Sequence, residues 1–274
     1  MLSPDVIKEI QDMRHLEWSR IRHSSGTAGS YLKAYETING RKVYYKLSCF
    51  DSVHGITGHE CINEIIVDRL LFILGVQHLK YQLIYYEILI DGKYYDTCIC
   101  ASEDFKEPGD SKIALDDYYD LKKYQNESML DFCRRMKWEE YIYTMLVIDF
   151  LILNRDRHGA NIEILRNRRT GLVRPVPLFD HGLSLIFNCR TDSEVRSADV
   201  MEDKPVQCCV GSRSAEKNLT LIPKDKLPVF RNLEERDRII LFKDLENFLP
   251  ACYFEKIWEM IWTRWNYYEN LRNT

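Results

Sequence analysis

The chain has 274 residues, 45% of them hydrophobic, with 38 Lys and Arg against 42 Asp and Glu, for a formal net charge of −4. That is enough for one large domain or two lobes sharing a cleft. The slight acidic excess argues against direct nucleic-acid binding, because phosphate backbones select for surplus Lys and Arg.

No apolar run approaches the length that spans a bilayer, and the first residues lack the succession of a secretory signal, so no membrane association and a cytoplasmic location are expected. The nine cysteines form no CxxC pair; Cys98/Cys100 and Cys208/Cys209 lack zinc-site spacing. They are expected to be reduced thiols.

In chain order, Val6, Ile7, Ile10, Met13 and Leu16 recur at helical intervals and predict a short amphipathic helix within residues 4–18. "HSSGTAGS" at 23–30 is too small and polar to pack and predicts a loop. "YLKAYETI" and "RKVYYKLS" flank Asn39-Gly40, and "QLIYYEILI" and "KYYDTCICA" flank Asp91-Gly92; both dipeptides between β-formers predict tight hairpins. Between the hairpins, Ile62, Ile65, Ile66, Leu70 and Ile73 repeat with helical spacing up to Gly75, predicting a helix over 59–74. Residues 102–111 turn to Glu, Asp, Lys, Pro and Gly, the texture of a linker.

Beyond it, 129–136 and "WEEYIYTMLVIDFLIL" at 138–153 predict helices, the second buried. "NRDRHGANIEIL" and "VPLFDHGLSL" follow, with a strand pair predicted around a 167–171 turn whose tip carries Arg166, Arg168 and Arg169. Residues 190–225 read as irregular, and 233–247 and 251–269 as closing amphipathic helices.

Phosphoryl transfer requires bound phosphates, neutralised charge and an oriented acceptor hydroxyl. Asp156 and Asn161, five positions apart in a loop after a buried helix, let a carboxylate face a hydroxyl while an amide oxygen reaches a metal. Asp180 follows an apolar strand and precedes His-Gly, where a carboxylate can bridge Mg²⁺ and phosphate oxygens. Two hard oxygen ligands plus ATP phosphates suit octahedral magnesium. Lys46 lies deepest in its β run and is the candidate phosphate-binding lysine, with Lys42 and Lys33 as alternatives. Glu60 and Glu64, one turn apart on the following helix, compete as its carboxylate partner, with Glu64 favoured.

"DRHGANI" at 156–162 followed by "FDHG" at 179–182 resembles the catalytic and metal-binding loops of HipA-like serine/threonine kinases and, more distantly, those of the phosphatidylinositol 3- and 4-kinases. "GTAGSYLKAY", "VYYKLS", "HECINEIIVDRLL" and "CICASEDF" are similar to corresponding HipA-like segments, so the resemblance covers nearly the whole chain. It implies an α+β, two-lobed protein-kinase-like fold with a β-rich N-lobe containing one main helix and a mostly helical C-lobe. The expected boundaries are 1–102 for the N-lobe, 103–127 for the hinge and linker, and 128–274 for the C-lobe.

The resemblance further implies ATP and Mg²⁺ as cofactors, a protein serine or threonine as acceptor, Asp156 as the catalytic aspartate, and Asn161 and Asp180 as metal ligands. The loop carrying Ser25, Gly26, Thr27, Ala28, Gly29 and Ser30 would cover the phosphates. Phosphate added there by autophosphorylation, for instance on Ser24, Ser25, Thr27 or Ser30, would oppose nucleotide binding. Ala101 and Ser102 occupy the hinge position that meets adenine, and His158 would support Asp156 or Asp180. The chain is much shorter than full-length HipA toxins, which leaves an antitoxin-like regulatory partner as a secondary expectation. A lipid or small-molecule kinase and a nucleotide-binding pseudokinase are the alternative functions.

Overall fold

The amino-terminal segment is a strand, not the helix its spacing predicts. In this computed structural model, which describes residues 5–19, 31–51 and 53–274, β1 (Val6–Asp12) lies parallel to β6 (Gln82–Ile90), with Val6 opposite Leu83 and Asp12 opposite Glu87. The register shifts between Ile7 and Gln11. Such a bulge breaks strict alternation, so the apolar spacing imitated a helix. The exposed edge of β6 supplied the backbone partners that propensity alone did not reveal.

The two hairpins form as their turns dictate. β2 (Lys33–Ile38) and β3 (Arg41–Leu47) pair through Asn39-Gly40, both at positive φ (50° and 79°). β6 and β7 (Lys93–Glu103) pair through Asp91-Gly92, at 52° and 76°. Two successive positive φ values make the turn whose twist suits a hairpin, and Asn, Asp and Gly are the residues that tolerate it. The five-stranded sheet runs β1-β6-β7-β3-β2. A short ladder of β4 (Phe50–Asp51) and β5 (Gly55–Ile56) leads from β3 to α1 (Glu60–Leu74). Gly75, at φ 76°, closes α1 in the left-handed conformation.

The central part of the sheet is buried on both faces, which is why β6 reads as an almost continuous apolar run. On one face Leu83 and Cys100 meet Ile62, Ile65 and Ile66 of α1 and join the large core of the second half. On the other, Ile84, Tyr86, Ile88 and Ile99 form a smaller core with Met13, Leu16, Leu32 and Tyr45.

The stretch expected as hinge and linker is ordered in its second part. β8 (Asp110–Ala114) and α2 (Leu115–Lys122) lie within it. α3 (Met129–Arg135) and the buried α4 (Glu139–Leu151) follow as predicted. β9 (Asp156–Arg157), β10 (Glu163–Asn167) and β11 (Val173–Pro175) come next, and β10 pairs with both β11 and β8.

The expected irregular region contains α5 (Asp192–Ser197), β12 (Gln207–Cys208) and α6 (Ala215–Asn218). β12 runs parallel to β9, setting Gln207 opposite Asp156. The expected helix at 233–247 shortens to α7 (Asp237–Phe242), because the buried Arg69 guanidinium takes the Leu241 and Lys243 carbonyls at 3.0 and 2.7 Å. The closing helix α8 (Ala251–Asn273) extends past the predicted end and packs on α4. Among the described residues no helix is long and apolar enough to cross a membrane.

Candidate active site

β3 and α1 bring the first half of the site together. In a strand that alternates sides, Lys46 points toward α1 while Tyr45 and Leu47 enter the smaller core on the opposite face. Lys46 Nζ donates to Glu64 Oε1 at 2.9 Å and also bonds Asp180 Oδ1. Glu64 Oε2 accepts the backbone N–H of His181 at 2.8 Å, so one carboxylate ties α1 to both the lysine and the Asp-His-Gly turn. Asn63, beside it, donates to the Gly182 and Ser184 carbonyls at 3.0 Å each. Asp180 itself has φ 58°, a conformation Asp tolerates better than most residues, and its N–H donates to the Tyr81 hydroxyl at 3.2 Å.

Gly182 packs closely against α1. A Cβ there would sit 3.1 Å from Glu60 Cβ and 3.3 Å from Glu64 Oε1.

The second half is the loop after α4. Asp149, in the last turn of that helix, accepts from the Arg157 guanidinium at 3.0 Å and from Asn154 Nδ2 at 3.0 Å. Asn154 Oδ1 in turn accepts the Asp156 N–H at 3.1 Å. Arg157 is fully buried and also donates to the Phe179 carbonyl at 2.9 Å, joining this loop to the residue before Asp180. Asp156 is thereby presented at a fixed position. Its Oδ2 accepts from Asn161 Nδ2 at 3.1 Å, its carbonyl accepts from the same amide at 2.8 Å, and His158 Nε2 stands 3.5 Å from its Oδ1. Both of these bonds use the Asn161 amide nitrogen, so its amide oxygen is not the atom that holds Asp156.

Burial opposes the Lys46 charge, yet Asp180 and Glu64 together hold its pKa well above the ordinary lysine value. Burial likewise opposes the Asp180 carboxylate, and Lys46 and Lys33 outweigh it, leaving that group below the usual carboxylate range. Glu64 is shifted upward, because its burial exceeds what Lys46 returns. His181 is pushed well below its ordinary value by burial and by Arg157, and is neutral.

No family model matches the sequence, and no curated protein matches it. Among solved structures it is similar to the Helicobacter pylori proinflammatory kinase CtkA, with a TM-score of 0.68 at 15% identity over 97% of this chain and 98% of that one. The fold is kinase-like. It is also similar to HipA of the Shewanella oneidensis MR-1 toxin–antitoxin system (TM-score 0.48, 15% identity, 92% and 67% covered) and to the Golgi casein kinase (0.49, 13%, 95% and 73%). The β-rich first half with its one main helix and the helical second half thus correspond to the two lobes of a kinase-like architecture.

Of the residues singled out in the sequence, Lys46, Glu64 and Asp180 meet directly, and Asp156, Asn161 and His158 form a second group joined to the first through Arg157. Glu60 does not take the lysine; its Oε2 accepts the Cys49 N–H at 3.0 Å. Lys42 lies over the Tyr35 ring, 4.0 Å from its centroid, and Lys33 stands opposite Lys46 across the strands. Ala101 and Ser102 lie in β7 opposite Tyr45 and Tyr44; β6 begins at Gln82, opposite Ala101, and so does not reach Ser102. Ser24, Ser25, Gly26, Thr27, Ala28, Gly29 and Ser30 lie outside the described residues.

Sequence reasoning missed Asp149, Asn154, Asn63 and Tyr81. Asp149 did leave a signal: it is the one charge in the apolar stretch 141–153, and a buried charge requires a partner.

Proposed function

We propose that this chain is an ATP- and Mg²⁺-dependent phosphotransferase acting on serine or threonine hydroxyls of proteins, a HipA-like kinase. The observation that carries the reading is the Lys46 ammonium shared by Glu64 and Asp180, with Asp156 presented on the adjoining loop. In this reading Lys46 engages phosphate oxygens in place of part of its bond to Asp180, and Glu64 keeps the ammonium aimed. Asp156 orients the acceptor hydroxyl and takes its proton as the new phosphorus–oxygen bond forms. The 25–30 segment would cover the phosphates, and backbone groups near Ala101 and Ser102 would meet adenine.

The donor chemistry fits magnesium. Asn161 offers an amide oxygen and Asp180 a carboxylate, both hard ligands. Among the described residues no three His, Cys, Asp or Glu side chains converge as a metal site, so phosphate oxygens would complete the coordination. Bound Mg²⁺ would neutralise charge on the phosphates.

Transfer of labelled γ-phosphate from Mg-ATP to the chain itself or to a generic protein is expected, and Asp156→Ala should lower it by about a thousandfold. Retained nucleotide binding with no transfer by the unaltered chain would instead mark a nucleotide-binding regulator. Transfer confined to lipid or small-molecule acceptors would exclude the protein-kinase reading.

A further inference from the structure

Three cysteines gather where α1 meets the sheet, and the proposed chemistry uses none of them. Cys61 lies one turn before Glu64 on α1, and its thiol donates to the Lys46 carbonyl at 3.1 Å. Cys100 is the cross-strand partner of Lys46, so its side chain rises from the same face of the sheet toward α1. Both are buried, in the same core. Cys98, two residues earlier on that face, is displaced by one strand repeat, about 7 Å. All nine cysteines of the chain are free thiols.

We propose that Cys61 and Cys100 are an oxidisable dithiol whose closure to a disulfide moves α1 against the Lys46 strand and weakens nucleotide binding. The consequence for nucleotide rests on the function proposed above; the thiol chemistry does not. Cys100 stands directly across the strands from Lys46, and the Cys61 thiol reaches the Lys46 carbonyl at 3.1 Å, so both thiols converge on one residue beneath α1. Burial opposes a thiolate at Cys61, but hydrogen bonds from Cys100 and Ser48 and the nearby Lys46 charge bring its pKa below the ordinary value. Cys100 is shifted the other way, by its bond to Cys61 and by burial. Cys61, set on α1 beside the Lys46 strand and its charge, is the attacking sulfur once local opening of α1 from the sheet admits the oxidant to this buried pair.

With hydrogen peroxide as oxidant, the Cys61 sulfur attacks one peroxide oxygen and the O–O bond breaks. The thiol proton leaves with the departing oxygen as water, and Cys61 becomes a sulfenic acid. The Cys100 sulfur then attacks the Cys61 sulfur and expels the hydroxyl, which takes the Cys100 proton as a second water. Each sulfur loses one electron, and the two peroxide oxygens gain two.

The closed bond is about 2.05 Å long, far shorter than any contact between two thiols. It removes the thiol donor from the Lys46 carbonyl and draws together, in a close-packed core, the two elements that carry the 2.9 Å Lys46–Glu64 pair.

The experiment treats the full folded chain with hydrogen peroxide, maps thiols by mass spectrometry without reduction, and titrates a fluorescent ATP analogue before and after. A Cys61–Cys100 linked peptide, about two mass units below the dithiol, is expected. Analogue affinity should fall about tenfold or more and recover with dithiothreitol. Cys98→Ser should respond like the unaltered chain, and Cys100→Ser should keep its affinity under peroxide. Circular dichroism melting establishes that each variant is folded, and the unaltered chain alone decides the linkage.

A Cys61–Cys98 link, oxygen addition without linkage, or a Cys61–Cys100 link with unchanged affinity would each overturn the proposal. Failure of the reduced chain to bind the analogue would overturn the nucleotide consequence together with the proposed function, while the linkage map would still decide the dithiol.

Discussion

The two halves of the candidate site are held in place by different means. Around Lys46, the candidate reacting groups are also the groups that lock the structure: Glu64 bonds both the lysine and the His181 N–H, and Asp180 bonds the lysine. In the loop after α4, the locking groups stand behind the candidate reacting ones. Asp149, Asn154 and Arg157 form the buried scaffold, while Asp156 and Asn161 project from it. Stability and activity should therefore be separable by mutation in the second half and entangled in the first.

The sharpest way to break that contrast is Asp149→Ala. It leaves the Arg157 guanidinium buried without its carboxylate, and the unfolding free energy should fall by about 3–5 kcal/mol, read from a denaturant midpoint at constant slope. Asp156→Asn is its control. That side chain is partly exposed and carries no scaffold bond to Arg157, so stability should change by less than about 1 kcal/mol while phosphoryl transfer collapses. Equal stability losses in the two variants would remove the separation.

Glu64→Gln tests the entangled half. Lys46 loses one of two carboxylates and the His181 N–H loses a charged acceptor, which together should cost about 1.5–3 kcal/mol of stability. Part of the loss is offset because the buried carboxylate no longer has to be desolvated, as its raised pKa indicates. Nucleotide affinity should drop about tenfold in the same variant, read by titration of an ATP analogue. A change in only one of the two quantities would contradict the entanglement.

What the sequence made legible follows the same division. Asn39-Gly40 and Asp91-Gly92 announce their hairpins because positive φ restricts the residue choice locally. The DxxxxN spacing and the Asp-His-Gly turn are likewise local, while the bond from Asn161 Nδ2 to Asp156 Oδ2 is a detail that the spacing did not announce. β1 was not legible, since its partner β6 lies over seventy residues away and its bulge disguised the alternation. The Arg157–Asp149 bond was hidden differently: helix α4 must end and the chain must turn before the two groups meet, and no periodicity encodes that turn. The choice between Glu60 and Glu64 depended on how α1 is rotated against the sheet, which a pair one turn apart leaves open.

Beneath both halves lies His181, buried and neutral, whose Nε2 has no hydrogen-bond partner among the described residues. Its folded pKa lies well below the ordinary 6.5, so below that pH the unfolded chain takes up a proton that the folded chain refuses. Its contribution to stability is complete above about pH 6.5 and is lost as the pH falls from there. Between pH 6.5 and 5.5 the loss should approach about 1 kcal/mol, and His181→Gln should flatten that part of the curve whatever it does to the absolute midpoint. Glu64 acts in the opposite sense, because a raised folded pKa removes stability as pH rises above about 4.5, and the bond it accepts from His181 is from the backbone N–H, which the substitution keeps. Parallel curves for the two proteins would show that His181 is not the group responsible.

The smallest expected effect decides which glutamate serves the lysine. Glu60 is buried beside Glu64, but its carboxylate faces the other way, accepting the Cys49 N–H and lying against Gly58, where a Cβ would come within 1.9 Å of Oε2. Gln at position 60 keeps an oxygen for the Cys49 N–H and fits the same volume. Stability should therefore fall by only about 0.5–1 kcal/mol, the difference between a charged and a neutral acceptor. Affinity for the ATP analogue should stay within about twofold, since no Lys46 bond is lost. If Glu60→Gln weakened nucleotide binding as strongly as Glu64→Gln, the lysine would be answering to both carboxylates, and α1 would have to turn on its axis during nucleotide binding to present them.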